Sequence, residues 1–156
     1  MYNNLKTLAS KLEETKEDFF LYWKDSVKES KLNYPDIEED ITEYGSRIFE
    51  ATLVNLRTEA RLHEQRIVEI GTEIGFKRAP EGKNLETVLD VFVLFRDRLW
   101  RHLRVLAKNV ELTADEVFEI EKRVDLYIDH VLLSIAFAFI STKEQAVIDL
   151  IEKTIK

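Results

Sequence analysis

A chain of 156 residues with 30 acidic and 23 basic side chains carries a net charge of −7, a poor match for nucleic acid, which rewards basic patches. It has no cysteine, which removes disulfides, cysteine-ligated zinc, iron–sulfur clusters and thiol catalysis. Apolar residues at 45% and charged residues at 34% fit one globular domain with a sizeable core, and four glycines and two prolines leave few places to turn, as long helices require.

In chain order, the opening from Met1 lacks the apolar core of a signal peptide, and a cytosolic protein is expected. Asn3 to Lys11 reads as a short helix with Leu5, Leu8 and Leu12 as its stripe. Thr15 is placed to cap a second helix, in which Phe19, Phe20, Tyr22, Trp23 and Val27 bury one broad face. Such an aromatic cluster reads as core or as a ligand wall. Pro35 breaks that helix by disfavouring helical geometry in Tyr34. Asp36 then reads as the N-cap of a helix from Ile37 to about Arg61, with Ile37, Ile41, Tyr44, Ile48, Phe49, Thr52, Leu53 and Leu56 on its stripe. Gly45 within it permits a close crossing. Thr58 to Arg66 is charged and reads as a bend.

The next helix carries Ile67, Ile70 and Ile74, and its Gly71–Gly75 spacing leaves two bare positions where another helix approaches. Pro80 and Gly82 let the chain reverse. Asn84 caps a helix from Leu85 to about Lys108, striped by Leu85, Val88, Leu89, Phe92, Phe95, Leu99, Leu103 and Leu106. Its second half bears Arg96, Arg98, Arg101, His102, Arg104 and Lys108. These cations oppose the negative end of the helix dipole, or one of them serves a carboxylate.

Thr113 and Glu116 form a capping box before some 40 residues free of glycine and proline. Val117, Ile120, Val124, Tyr127, Ile128, Val131 and Ile135 mark one buried stripe. From Val131 to Ile140 only Ser134 is polar, a run too short for a bilayer, which needs roughly 20 residues. Either this is a core helix covered on all faces, or its second face (Leu126, Leu133, Phe137 and Ile140) meets a partner chain. Residues 143–156 read as an exit helix with Val147, Leu150, Ile151 and Ile155.

Catalytic signatures are absent: GxGxxG, GxxxxGK[ST] and HExxH do not occur, and His63, His102 and His130 lack metal-ligand spacing. The carboxylates read as solvated polar faces. No enzyme and no metal are expected.

The stretches Phe19 to Val27, Ile70 to Gly82, Leu85 to Trp100, and Asp125 to Lys156 give the chain its likeness. It resembles the amino-terminal sensor domains of RsbR-type stressosome proteins and the related sensors of sporulation histidine kinases. The resemblance implies an all-α, globin-like domain spanning residues 1–156, without haem and with a long C-terminal helix. A globin holds its proximal histidine just before the penultimate helix, and Phe76 to Asn84 contains none. It further implies a fatty acid or similar apolar ligand, with a halide nearby, in a tunnel at the haem position. The expected wall is Phe49, Phe92, Phe95, Leu99, Tyr127, Val131 and Ile135, with Arg96 or His102 for the head group. The implied partners are a second copy, through Leu126, Leu133, Phe137 and Ile140, and a histidine kinase or stressosome component. The other reading is a purely structural dimerisation module with a filled core.

Overall fold

The computed structural model of the chain describes residues 3–58 and 64–155, the side chain of Glu64 excepted. Its architecture is all-α, with no strand among the described residues. In order run α1 (Asn3–Glu14), α2 (Lys16–Glu29), α3 (Ile37–Asp40), a π turn (Ile41–Gly45), α4 (Ser46–Arg57), α5 (Glu64–Arg78), α6 (Leu85–Ala107) and α7 (Ala114–Ile155). The helix expected to run to about Arg61 ends at Arg57, where Thr58 turns extended (φ −123°, ψ 151°); residues 59–63, His63 among them, lie outside the described residues, and Glu64 to Arg66 already belong to α5.

Local signals set the ends of the two longest helices. The Asn84 side chain accepts from the Glu86 N–H at 2.8 Å and opens α6. Before α7, the Glu116 N–H donates to Thr113 Oγ1 at 3.1 Å while the Thr113 N–H donates to Glu116 Oε1 at 3.1 Å, the reciprocal box that its spacing predicts. Asn4 reaches the same carboxylate at 3.0 Å and the Glu111 carbonyl at 2.8 Å, tying the start of α1 to the start of α7. The Thr113 N–H first, and Asn4 second, hold the Glu116 carboxyl below its ordinary range.

α5 lies along α7 with two glycines at the crossing. A Cβ on Gly71 would stand 2.6 Å from the Val131 carbonyl oxygen, and one on Gly75 would stand 2.5 Å from that of Ile135. No side chain fits there, so the bare spacing in α5 is what lets the two backbones meet. Gly45 plays the same part for Trp23, whose ring would sit 2.7 Å from an added Cβ. Trp23 is buried and donates its indole N–H to the Val91 carbonyl at 2.9 Å, joining α2 to α6. Arg123 of α7 donates to the carbonyls of Asn55 (3.1 Å), Leu56 (3.4 Å) and Thr58 (3.0 Å), which finishes α4.

Several readings need correction. Thr15 gives no side-chain cap: its hydroxyl bonds back to the Lys11 carbonyl at 3.0 Å and meets His102 Nε2 at 2.7 Å. Asp36 likewise gives no cap and instead forms an ion pair with the Lys83 ammonium at 2.8 Å. Tyr22 is exposed beneath the Arg98 guanidinium, 5.3 Å from its ring centre, rather than buried with Phe19, Phe20, Trp23 and Val27. Val117 falls off the buried stripe of α7, being 46% exposed, because it faces an open space between α6 and the first turns of α7. The reading of α7 as covered on all faces fails, since Leu133, Phe137 and Ile140 are 55%, 65% and 47% exposed. By length and composition α7 also contains a stretch apolar enough to cross a membrane, of which 44% is buried inside the structure.

Candidate functional site

The residues expected to line a tunnel occupy the centre of the core. Phe49, Phe92, Phe95, Leu99, Tyr127, Val131 and Ile135 are all buried. Rings fill the space around the phenylalanines: Phe95 meets Phe19 edge-on at 5.1 Å and Trp23 at 4.9 Å, and Trp23 lies 5.7 Å from Phe92. Phe49 packs 5.7 Å from Phe19 and 5.3 Å from Phe20. Val131 and Ile135 are held by the α5 crossing. Arg96 is engaged at the surface with Asp129 at 2.5 Å. His102 pairs with Thr15, and burial pushes its ring below the ordinary histidine value against a weaker opposing pull from Asp18. None of these nine residues lines either of the cavities described next.

A cavity of about 580 Å³ opens instead at the end of the bundle, among α1, the C-terminal turns of α6 and the first turns of α7. Leu8, Leu103, Ala107, Leu112, Val117 and Ile120 give it an apolar wall, with Trp100 on one side. The Trp100 indole N–H is fixed by Asp125 at 2.8 Å. Arg104 and Lys108 stand at the rim with Glu121. Both cations are exposed, and among the described residues neither forms an ion pair. The volume lies in the range of small-molecule sites, about 300–1,000 Å³, and the wall has their usual make-up of apolar surface with a few polar groups. The pattern of cations late in α6 was visible in the sequence. What was missing was the splay between α6 and α7 that leaves a space beside them.

A second feature escaped the sequence reading. Arg78, at the end of α5, is fully buried. It donates to Asp40 at 2.5 Å and to both oxygens of Glu81 at 2.9 and 3.0 Å, with its guanidinium 5.8 Å from the Tyr34 ring. Tyr34 donates its hydroxyl to the other oxygen of Asp40. Burial pushes the Asp40 carboxyl up, against the pull of Tyr34 and Arg78, and pushes the Tyr34 hydroxyl far up. Burial works against the charge on Arg78, but Asp40, with Tyr34 and Glu81, outweighs it and holds the guanidinium protonated. The signal was positional: Asp40 falls on the stripe of Ile37 and Tyr44, and Arg78 on that of Ile67, Ile70 and Ile74. The arrangement clamps the α2–α3 connection onto α5, with the buried Arg78 Nε left without a hydrogen-bond partner among the described residues, and it reads as structural.

The third feature is the outer face of α7. Leu126, Leu133, Phe137 and Ile140 are exposed together, the first at 36%. Val147, Ile148, Leu150, Ile151 and Ile155 continue the exposed apolar surface to the end of the helix. A cavity of about 510 Å³ flanks it where α7 leaves the bundle, lined by Leu85, Phe139, Ile140, Lys143, Glu144, Val147 and Ile148. Among the described residues no three histidine, aspartate or glutamate side chains are grouped to hold a metal ion. No protein-family model, no curated protein and no solved structure matches this chain.

Proposed function

We propose that this chain is a non-catalytic, globin-like sensor module that binds an amphipathic anion, of the fatty-acid class, and works as a pair of copies whose α7 helices carry the signal onward. The single observation behind it is the cavity at the α1–α6–α7 end: an apolar chamber of about 580 Å³ with two cations at its rim, Arg104 and Lys108, that have no ion-pair partner among the described residues. An apolar tail would displace water from Leu8, Leu103 and Ile120, and a carboxylate would meet the cations at the surface. This places the ligand away from the filled aromatic core around Phe92 and Phe95. The cavity is bounded by the first turns of α7, and the same helix runs 42 residues to Ile155. Occupancy at one end would therefore bias the position of the other. The association surface would be Leu126, Leu133, Phe137 and Ile140. Stress or sporulation control, through a histidine kinase or stressosome component, is the context that the likeness of Ile70 to Trp100 suggests.

Palmitate binding, followed by native mass spectrometry and by the emission of Trp100, tests this. Ile120→Trp should fill the chamber and abolish binding. Arg104→Glu with Lys108→Glu should weaken it at least tenfold, since each unfavourable 1.4 kcal/mol is tenfold in affinity. Phe92→Trp should leave it unchanged. Loss of binding in Phe92→Trp, with Ile120→Trp unaffected, would return the ligand to the core between α4, α6 and α7. No binding by the wild type would leave a structural pairing module.

A further inference from the structure

The exposed face of α7 has a regular period. Leu126, Leu133, Ile140 and Val147 recur every seven residues, and Phe137, Glu144 and Ile151 form a second series of seven between them. The alternation of threes and fours is that of a two-stranded seam. At 100° per residue this stripe lies roughly opposite the face that packs on α5. Beyond Thr142, Gln145, Asp149 and Glu152 stand on the side that in the bundle faces the core, while Val147 and Ile151 stay on the outer side. The tail therefore does not extend the core face. It extends the exposed stripe, which runs about 40 Å at 1.5 Å per residue and is apolar except at His130 and Glu144.

One position in this stripe is charged. Glu144 occupies a seam position, and among the described residues its carboxylate has no partner. Lys143 precedes it, its ammonium resting 5.7 Å from the Phe139 ring centre and making no ion pair among the described residues. In a parallel pair, the residue before a seam position on one helix flanks that position on the other. The two Glu144 side chains then share one level, and Lys143 of each copy lies beside Glu144 of its counterpart, so each carboxylate gains a cation that offsets their mutual repulsion. An antiparallel pair that overlaps the stripe, with Phe137 against Ile140, sets Glu144 against Leu133. That buries a charge with no partner, which is strongly unfavourable.

Resting on the reading that two copies associate through α7, we propose that they do so in parallel and in one register, and that Lys143 and Glu144 select that arrangement. The occupant of the stripe is a second copy of this chain. The charge sits at a seam position as a device of specificity: it costs stability in the chosen pairing and more in the others. The two tails then leave side by side, at the same end.

The absence of cysteine makes the test clean. Ile140→Cys and Ile151→Cys, made separately, should each form a disulfide with its own counterpart. An antiparallel pair has one self-facing level at most, so crosslinking at only one of the two sites would overturn the proposal. Sedimentation should show Lys143→Glu and Glu144→Lys each weakening the pair about tenfold, within the coupling range of contacting residues, and the double exchange restoring it. If the wild type pairs and neither single change weakens it, Lys143 and Glu144 do not select the arrangement, while the association itself stands. A wild type monomeric at high micromolar concentration overturns both.

Discussion

At the end of α5 charge is buried, and along the outer face of α7 apolar surface is exposed. The two regions invert the ordinary rule in opposite senses. At the Arg78 cluster every charge is answered within the chain: Arg78 by Asp40 and Glu81, Asp40 also by Tyr34, and Asp36 by Lys83. On the outer face of α7, Leu126, Leu133, Phe137 and Ile140, and past them Val147 and Ile151, lie exposed. On the proposed pairing, the difference separates a feature completed by folding from one left to be completed by association. Substitutions should therefore act on folding in the first region and on pairing in the second.

The largest effect belongs to Arg78. Arg78→Ala leaves Asp40 buried without its cation, and breaking a buried pair in this way typically costs 3–5 kcal/mol. Thermal and urea unfolding would measure it. Removing both ends of the pair, with Arg78→Met and Asp40→Leu, should recover most of the loss, because the cost lies in the orphaned charge and not in the missing attraction. A loss in the double variant equal to that in Arg78→Ala would mean that the pairing geometry itself carries the stability.

The inner face of α7 comes next. Gly75→Ala adds a methyl group 2.5 Å from the Ile135 carbonyl and 2.7 Å from the Ala138 Cβ. Backbone cannot swing aside as a long side chain does. The expected cost is about 1–3 kcal/mol, less the ~1 kcal/mol that alanine gains over glycine in a helix interior. Gly82→Ala is the control of opposite cause, since Gly82 has open space around it but a φ of 75°. Stability unchanged in Gly75→Ala would mean that α5 and α7 separate easily, against the closeness of their backbones.

The ends and contacts set by short-range chemistry were legible in the sequence. Asn84, the Thr113–Glu116 box and the Gly71–Gly75 spacing each act over a few residues, so the local pattern was enough. Thr15 and Asp36 carried the same kind of signal and did something else, because His102 of α6 and Lys83 of the α5–α6 connection offered their side chains another partner. Periodicity found the buried stripes, yet it could not tell a packed wall from the lining of a space. Phe92 and Phe95 were read as lining and turned out to be packed by Phe19 and Trp23, which only the fold brings near. The cavity beside Arg104 and Lys108 depends on how far the helices diverge, a quantity that no single helix encodes. Arg78 and Asp40 were legible in part: a charge on an apolar stripe is the mark of a buried pair, but the two lie 38 residues apart.

The smallest effect on folding is expected on the outer face of α7, where it discriminates best. Leu133→Glu and Phe137→Glu replace side chains that are more than half exposed. Surface changes of this kind usually shift stability by no more than about 0.5 kcal/mol. Association, by contrast, stabilises the folded form by mass action, so the wild-type Tm should rise with protein concentration. In the variants the concentration dependence should vanish, because an unpaired carboxylate in the seam prevents pairing. At high dilution, where no pairs form, variant and wild type should melt together. Calorimetry over a hundredfold range of concentration separates the two contributions in one experiment. A variant that melts well below the wild type even at high dilution would show that Leu133 and Phe137 support the fold of the single chain, and the contrast with the Arg78 cluster would fall.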